Sequence, residues 1–326
     1  MSLRAFAIGL AGVVMLTTTI ASAQTIMPGS GNVRVITFAP PGGSLDLIAR
    51  VVAQGLPEFI GKNAIVENKV GAGGNLGVTE LAHAAPDGST IGIISNGTNG
   101  INPALYGSKL SFDPINDFAP ISMLVHLKLV LVTSPTLPAK TIPELVAYAK
   151  ANPGKVMFGS TGVGSAAHLS GELFNLAAGI KMAHVPYNGS AKALSALSTN
   201  EIQALFPPIA ESKAMIGDGR VRAIAVTSKE RAEALPDLPT IAEQGYPSYD
   251  VTAWLAIAAP KRTPKETIDR YNAAIAKILS KPEVKERLGN LGMEIRTSTP
   301  AELAATMKQE LAKWPPVVQA SGAQIN

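Results

Sequence analysis

Short apolar runs and helical apolar stripes alternate along most of the chain, separated by turns rich in glycine and proline. The segment from Asn32 to Phe38 (NVRVITF) is short and β-branched and stops at Pro40-Pro41-Gly42-Gly43, which predicts a strand ended by a turn. From Ser44 the apolar positions are Leu45, Leu47, Ile48, Val51, Val52 and Leu56, a helical spacing with Ser44 placed as N-cap. Ala64 to Glu67 predicts a second strand, and the Gly-rich stretch from Gly71 to Asn75 leads into a helix over Leu76 to Ala85. Asp87-Gly88 turns the chain into a third strand, Thr90 to Ser95. Strand, glycine turn, helix, strand is the rhythm of a parallel α/β sheet.

A second set of such units follows. Leu129 to Thr133, Lys155 to Gly159, Ala223 to Thr227 and Val251 to Ala258 read as strands. Thr141 caps a helix with Pro143 in its first turn and Glu144 favouring the dipole, and Ala166 to Ala178 forms another. From Lys265 the pattern is helical almost to the end, over Ile268 to Leu279, Pro282 to Leu288 and Pro300 to Lys313. Two α/β halves with a helical tail outline a two-lobed binding protein. One large doubly wound domain fits the same pattern, because the connecting segments near Val125–Lys128 and Tyr249–Thr252 have no distinct composition.

Composition narrows the function. A chain of 326 residues with 46% apolar and 16% charged residues can bury two cores and is not a disordered polymer. Its net charge of +4 is spread without a basic stripe, which argues against a nucleic-acid partner. The absence of cysteine excludes disulfides, thiolate metal sites and a Cys nucleophile. The histidines His83, His126, His168 and His184 form no metal-binding spacing, so neither metal nor cofactor is expected.

The first 23 residues read as a cleavable secretory signal. Arg4 is the positive start, Ala5 to Leu16 the apolar stretch, and Ala21-Ser22-Ala23 the small-residue site before a cut that leaves Gln24 first. The apolar run is too short to serve comfortably as a membrane span.

Three glycine-rich turns open helices. They are Pro40-Pro41-Gly42-Gly43-Ser44, the run from Gly159 to Ser165 (GSTGVGS), and Pro186-Tyr187-Asn188-Gly189-Ser190. First-turn amides lack helical partners and sit at the positive end of the dipole, so such turns suit an anion. Any one of them is also an ordinary capped βα turn. Three in one chain shift the balance toward a carboxylate or phosphate ligand. The stretch Gly71-Ala72-Gly73-Gly74-Asn75-Leu76 lacks the last glycine of a dinucleotide fingerprint. His168 lies three residues after Ser165 and four before Glu172, so an exported hydrolase using Ser165 and His168 is the alternative reading. A triad needs its base on a separate element, and these three share one helix. A purely structural envelope protein would leave the three turns without purpose.

These segments, in order, resemble the Bug family, the extracytoplasmic solute-binding receptors of tripartite tricarboxylate transporters. The matching stretches include ITFAPPGGSLDLIAR (36–50), VENKVGAGGNLG (66–77), SFDPINDFAPIS (111–122), MFGSTGVGSAAHLSGELF (157–174), AHVPYNGSAKAL (183–194) and RVRAIAVTSKERAEALPDLPTIAEQGYP (220–247). The resemblance implies an α/β, two-lobed type II periplasmic-binding-protein fold with two crossing hinge strands. It assigns 24–127 and 252–326 to domain 1, 128–251 to domain 2, and a small organic carboxylate to the space between them. The carboxylate is expected to be gripped by backbone amides, hydroxyls and bridging waters, with no arginine.

The candidate ligand contacts on this reading are Pro41, Gly42, Gly43, Ser44, Asp46, Asn75 and Thr98 from the first lobe. The second lobe supplies Ser160, Thr161, Gly164, Ser165, His168, Tyr187, Asn188 and Phe206. Many family members carry an Asp after the Phe near position 206, where this chain has Pro207-Pro208. That favours a dicarboxylate, or one with an aromatic body, over an amino acid. Ala253-Trp254-Leu255-Ala256 stands where many members have Gly-Trp-x-Gly at the hinge. The expected partners are the membrane components of such a transporter or a sensor, with the protein a periplasmic monomer.

Overall fold

The computed structural model describes residues 31–187 and 189–323. In chain order the first half forms β1 (Val33–Thr37), α1 (Ser44–Ile60), β2 (Ala64–Asn68), α2 (Asn75–Ala82), β3 (Thr90–Ser95), α3 (Asn102–Tyr106) and β4 (Phe118–Lys128). The middle forms β5 (Val130–Thr133), α4 (Ile142–Ala151), β6 (Met157–Ser160), α5 (Ala166–Ala178), β7 (Ala183–Pro186), α6 (Ser190–Ser198), β8 (Ala204–Leu205), α7 (Ile209–Gly217) and β9 (Arg222–Val226). The chain ends with β10 (Thr252–Pro260), α8 (Lys265–Ser280), α9 (Pro282–Asn290), β11 (Glu294–Ile295) and α10 (Pro300–Ser321).

Two separate sheets result, and they define two lobes. The first has the order β11-β4-β10-β3-β1-β2, the second β7-β6-β8-β5-β9. Parallel pairs β1–β2, β1–β3, β6–β7 and β6–β8 come from the strand–helix–strand units, while β10 runs antiparallel to β3 and β4. The chain leaves the first sheet between Lys128 and Val130 and returns along β10, where Thr252 pairs with Lys128. The two crossings therefore lie side by side. A two-domain architecture, and not one doubly wound sheet, is what the alternating pattern encodes.

Each lobe has its own core. Val33, Val35, Ile48, Val52 and Leu56 pack with Tyr271, Ile275 and Ile278 in the first. Leu131, Leu145, Phe158, Leu169, Phe174 and Phe206 pack in the second. The C-terminal helix serves both: Leu303 and Met307 join a first-lobe cluster with Ile36 and Trp254, and Trp314, Val317 and Val318 join the second-lobe core. Trp254 is buried packing, as its apolar strand context suggests.

Several boundaries differ from the sequence reading for physical reasons. Ser44 is the first helical residue and Gly43 is the N-cap of α1, with no side-chain cap. Asp46, three positions beyond the cap, reaches back to the Gly42 N–H and so ties down the turn ahead of the helix. Gly189 is likewise the N-cap of α6, again with no side-chain cap. Thr141 and Ser165 do cap their helices, accepting from the Glu144 and His168 N–H groups. The long strand β4 carries no clean alternation, and the turn of π-helix over Gly97–Ile101 has no sequence signature.

Candidate ligand site

The C-terminal ends of β1 and β3 in one lobe, and of β6, β7 and β8 in the other, carry the candidate turns. Ligands in open α/β sheets bind beyond these ends. In the first lobe, Pro41 and Gly42 are exposed, and Gly42 has φ of +84°, a conformation glycine adopts without strain. Asp46 anchors this turn from below. Only 1% exposed, its carboxylate accepts from Gly42 N (2.8 Å), Arg50 Nε (2.7 Å) and Asn68 Nδ2 (2.8 Å). Burial pushes its pKa up, but the Arg50 guanidinium, the Asn68 amide and the Gly42 N–H outweigh it and hold the group down at about 2. Asp46 is thus a charged prop whose two oxygens are taken up in holding the turn. Arg50 and Asn68 complete the anchor and were not evident from the sequence.

Asn75 and Thr98 lie deeper. Asn75 is buried and accepts from Asn102 Nδ2 at 2.7 Å, and the same amide donates to Gly73 O at 3.1 Å. Thr98 is buried in the π-helical turn, where its hydroxyl accepts from Ser95 N (3.0 Å) and donates to Asn99 Oδ1 (2.8 Å). Both residues are held inside the wall of the first lobe.

The second-lobe turn is anchored differently. Ser160 is fully buried, and its hydroxyl lies 2.6 Å from His184 Nε2 and accepts from Gly162 N at 3.0 Å. Gly164, at φ of +79°, donates its N–H to His168 Nδ1 at 3.1 Å. The two imidazoles stack with centroids 3.8 Å apart, and Phe158 lies beside them. Burial, helped by the neighbouring His184, holds the pKa of His168 down at about 4, and burial does the same for His184. Register explains the meeting: β6 and β7 are parallel and Phe158 pairs with His184.

Ser165 donates to Gly162 O at 2.8 Å and accepts from His168 N at 3.2 Å. The ring nitrogens of His168 face Gly164 and Glu172, the latter at 3.7 Å, and not the Ser165 hydroxyl. The Ser165–His168 relay of the hydrolase alternative does not form. Thr161, by contrast, is exposed at the turn.

A cavity of about 160 Å³ lies at the crossing of the lobes, lined by Leu127, Leu129, Ala253, Thr161, Ala166, Ala167, Ser190, Pro208 and Glu211. It brings the openings of α5 and α6 together at the hinge. Glu211, in the first turn of α7, reaches this cavity although no acid follows Phe206 directly. A larger depression of about 670 Å³ lies behind the crossing, lined by Lys128 and by Gly292 to Ile295. Adjacent strand residues face opposite ways, so Lys128 looks to the back while Leu127 and Leu129 look into the cleft side. Tyr187 is half-buried beside this region and donates to Glu201 at 2.8 Å; burial and that carboxylate push its pKa up to about 12. Phe206 is in the core, its ring 6.2 Å from both Phe158 and Phe174, so it supports the turn from beneath. Asn188 lies outside the described residues, as does the N-terminal signal candidate. Among the described residues no His, Asp and Glu side chains cluster as a metal site.

Two lobes joined by paired crossings, with Thr161 and Ser190 of the second-lobe turns lining a cavity at the hinge, are the frame of a solute-binding receptor; none of Pro41 to Ser44 lines that cavity. Residues 48–323 match the family described as tripartite tricarboxylate transporter family receptor, and the chain belongs to that family of extracytoplasmic receptors. It is 34% identical to Protein BugT of Bordetella pertussis, covering 90% of each chain. A solved structure of an R. palustris protein with adipate has a TM-score of 0.74 at 30% identity, covering 91% of this chain and 99% of that one. MatC from Rhodopseudomonas palustris with bound malate has a TM-score of 0.71 at 31% identity, covering 88% and 98%. The protein is a Bug-type solute-binding receptor, not an enzyme. No described helix is long and apolar enough to cross a membrane.

Proposed function

We propose that this receptor captures a small organic carboxylate, foremost a dicarboxylate, between its lobes and passes it to the membrane components of a tripartite tricarboxylate transporter or to a sensor. The observation that carries this reading is the convergence of Thr161 and Ser190, at the openings of two helices, on a cavity at the hinge. Helix openings favour an anion without a cationic side chain. The adipate and malate of the two R. palustris relatives support the same chemistry. In this reading Pro41 to Ser44 and Thr161 to Ser165, with Tyr187 to Ser190, make the direct contacts, and Asp46, Asn75, Thr98, Ser160, His168 and Phe206 stand behind them. Glu211 repels a second carboxylate from its corner, which directs the far end of a dicarboxylate toward the first-lobe turn.

The lobes are assigned as 24–127 with 252–326, and 128–251, closing about Val125–Lys128 and Tyr249–Thr252 as a monomer after removal of residues 1–23. The test is a thermal-shift screen of mono- and dicarboxylates, because a ligand bound only by the native state raises its melting temperature. Stabilisation by dicarboxylates of four to six carbons is the expected result. Stabilisation by amino acids alone overturns the reading. Mass spectrometry of exported protein is expected to find Gln24 first; an intact Met1 contradicts that.

A further inference from the structure

We propose that His168 and His184 are paired positioning residues, which fix the shape of the Ser160–Ser165 turn so that Thr161 is presented to the ligand. This rests on the site reading above but concerns a different set of atoms. His168 Nδ1 accepts the Gly164 N–H, so the ring carries its proton on Nε2, toward Glu172. His184 Nε2 contacts the Ser160 hydroxyl, which in turn accepts from Gly162 N. Between them the imidazoles hold both halves of a turn whose glycines, Gly162 and Gly164, have φ of +132° and +79°. Gly164 also packs closely on Leu105 of the first lobe, so the shape of this turn bears on how the lobes meet. Neither ring contributes to the ligand cavity, and Ser160 is fully buried, so these groups act through the turn.

Simple core packing makes a different demand. A packing role needs only the volume of the rings, whereas positioning needs their hydrogen-bonding nitrogens, Nδ1 of His168 as acceptor and Nε2 of His184 as partner of the Ser160 hydroxyl. Asn places its side-chain oxygen near the Nδ1 position, and Gln reaches toward Nε2, so His168→Asn and His184→Gln keep the hydrogen bonds without the ring. His168→Leu and His184→Leu keep apolar bulk without them. The groups facing the pair are Glu172 on the helix of His168 itself, Phe158 and Ser160 on β6, and the Gly164 N–H. Protonation of His168 replaces the acceptor at Nδ1 with a donor that faces the Gly164 N–H.

The experiment measures amide hydrogen exchange at Gly162–Ser165 in the full exported chain, together with calorimetric titration of adipate and malate. In His168→Leu and His184→Leu, exchange in this turn is expected to speed up roughly tenfold or more while the far helices α8 and α9 keep wild-type protection. His168→Asn and His184→Gln are expected to retain the slow exchange, and affinity is expected to follow the same order. As pH falls toward 4, wild-type affinity is expected to drop more than that of the double variant His168→Asn/His184→Gln; protonation of the ligand is common to both. Wild-type exchange in the folded Leu variants overturns the proposal, and so does equal loss in the Leu and the Asn or Gln variants. A wild-type affinity in Thr161→Ala overturns the site reading alone, because the exchange data decide the role of the histidines without any ligand.

Discussion

The two lobes hold their glycine turns with opposite chemistry. In the first, the turn at Gly42 hangs on a buried carboxylate, Asp46, whose charge is satisfied by Arg50, Asn68 and the turn itself. In the second, the turn at Gly162–Gly164 hangs on two stacked imidazoles that the buried setting keeps uncharged. A charged anchor tightens its hydrogen bonds and keeps them over almost the whole pH range. Neutral anchors add no negative charge beside an anionic ligand, but they fail once protonated. The difference predicts that the second lobe is the acid-sensitive half of the receptor.

The largest effect is expected at Asp46. Asp46→Ala leaves the Gly42 N–H without its acceptor and takes one of two acceptors from the Asn68 amide, which still donates to Ala39 O, and is expected to cost about 2–3 kcal/mol in urea denaturation. Dicarboxylate affinity should fall with it, and Asp46→Asn should lose less. An unchanged midpoint in Asp46→Ala means the first-lobe turn does not depend on its anchor.

Acid melting separates the lobes next. An unfolded histidine takes up its proton near pH 6.5, whereas His168 and His184 in the fold do so near 4. Between those values the unfolded chain binds more protons, so the melting temperature is expected to fall as pH drops through that window. Asp46 acts lower, with an ordinary value of 3.8 against about 2 in the fold, so its contribution is lost between those limits as pH falls. The double variant His168→Asn/His184→Gln should lose most of the first fall, the remainder belonging to His126, which burial also holds below its ordinary value, and keep the second. A melting temperature flat from pH 7 to 4.5 in the wild type contradicts the comparison.

Gly164→Val tests the second turn sterically. It forces a β-branched residue into φ of +79°, and its Cβ would meet Leu105 Cδ1 at 2.6 Å. A loss of about 1–3 kcal/mol is expected in chemical denaturation. The smallest effect is expected at Glu211, which is exposed at the cavity: Glu211→Gln should tighten dicarboxylate binding by roughly two- to threefold, as removal of a screened like charge does. Weaker binding in that variant would mean Glu211 meets a donor on the ligand.

The pattern of strands and helices made most of this architecture readable in advance, because each βα unit announces itself by a change of period at a glycine turn. Ala166 to Ala178 and Thr90 to Ser95 were readable to the residue. The three turns were readable as well, since glycine and hydroxyl residues before an apolar stripe have few other uses. Asp46 is legible as an acid able to bond the amides of the adjacent glycine turn, and His168 as a histidine bonded to Glu172 or to backbone; their partners are not. Arg50 sits one helical turn beyond Asp46 and looks like any exposed cation, and Asn68 meets Asp46 only because β2 lies beside β1. His184 gains its meaning only when parallel pairing sets it opposite Phe158 and within reach of Ser160. Phe206 is a candidate contact on the resemblance, yet it lies fully buried just past β8, packed against Phe158 and Phe174. Tertiary proximity, not local pattern, assigns all of these.

The central claim is that a carboxylate is gripped where the second-lobe turn meets the hinge, and Thr161 is the exposed hydroxyl of that turn. Calorimetric titration of a four- to six-carbon dicarboxylate into wild type and Thr161→Ala tests it most directly. One hydrogen bond to a charged group is worth about 1.5–3 kcal/mol, so the variant is expected to bind roughly tenfold or more weakly at unchanged melting temperature. Equal affinity in the two proteins would place the ligand elsewhere and contradict the account.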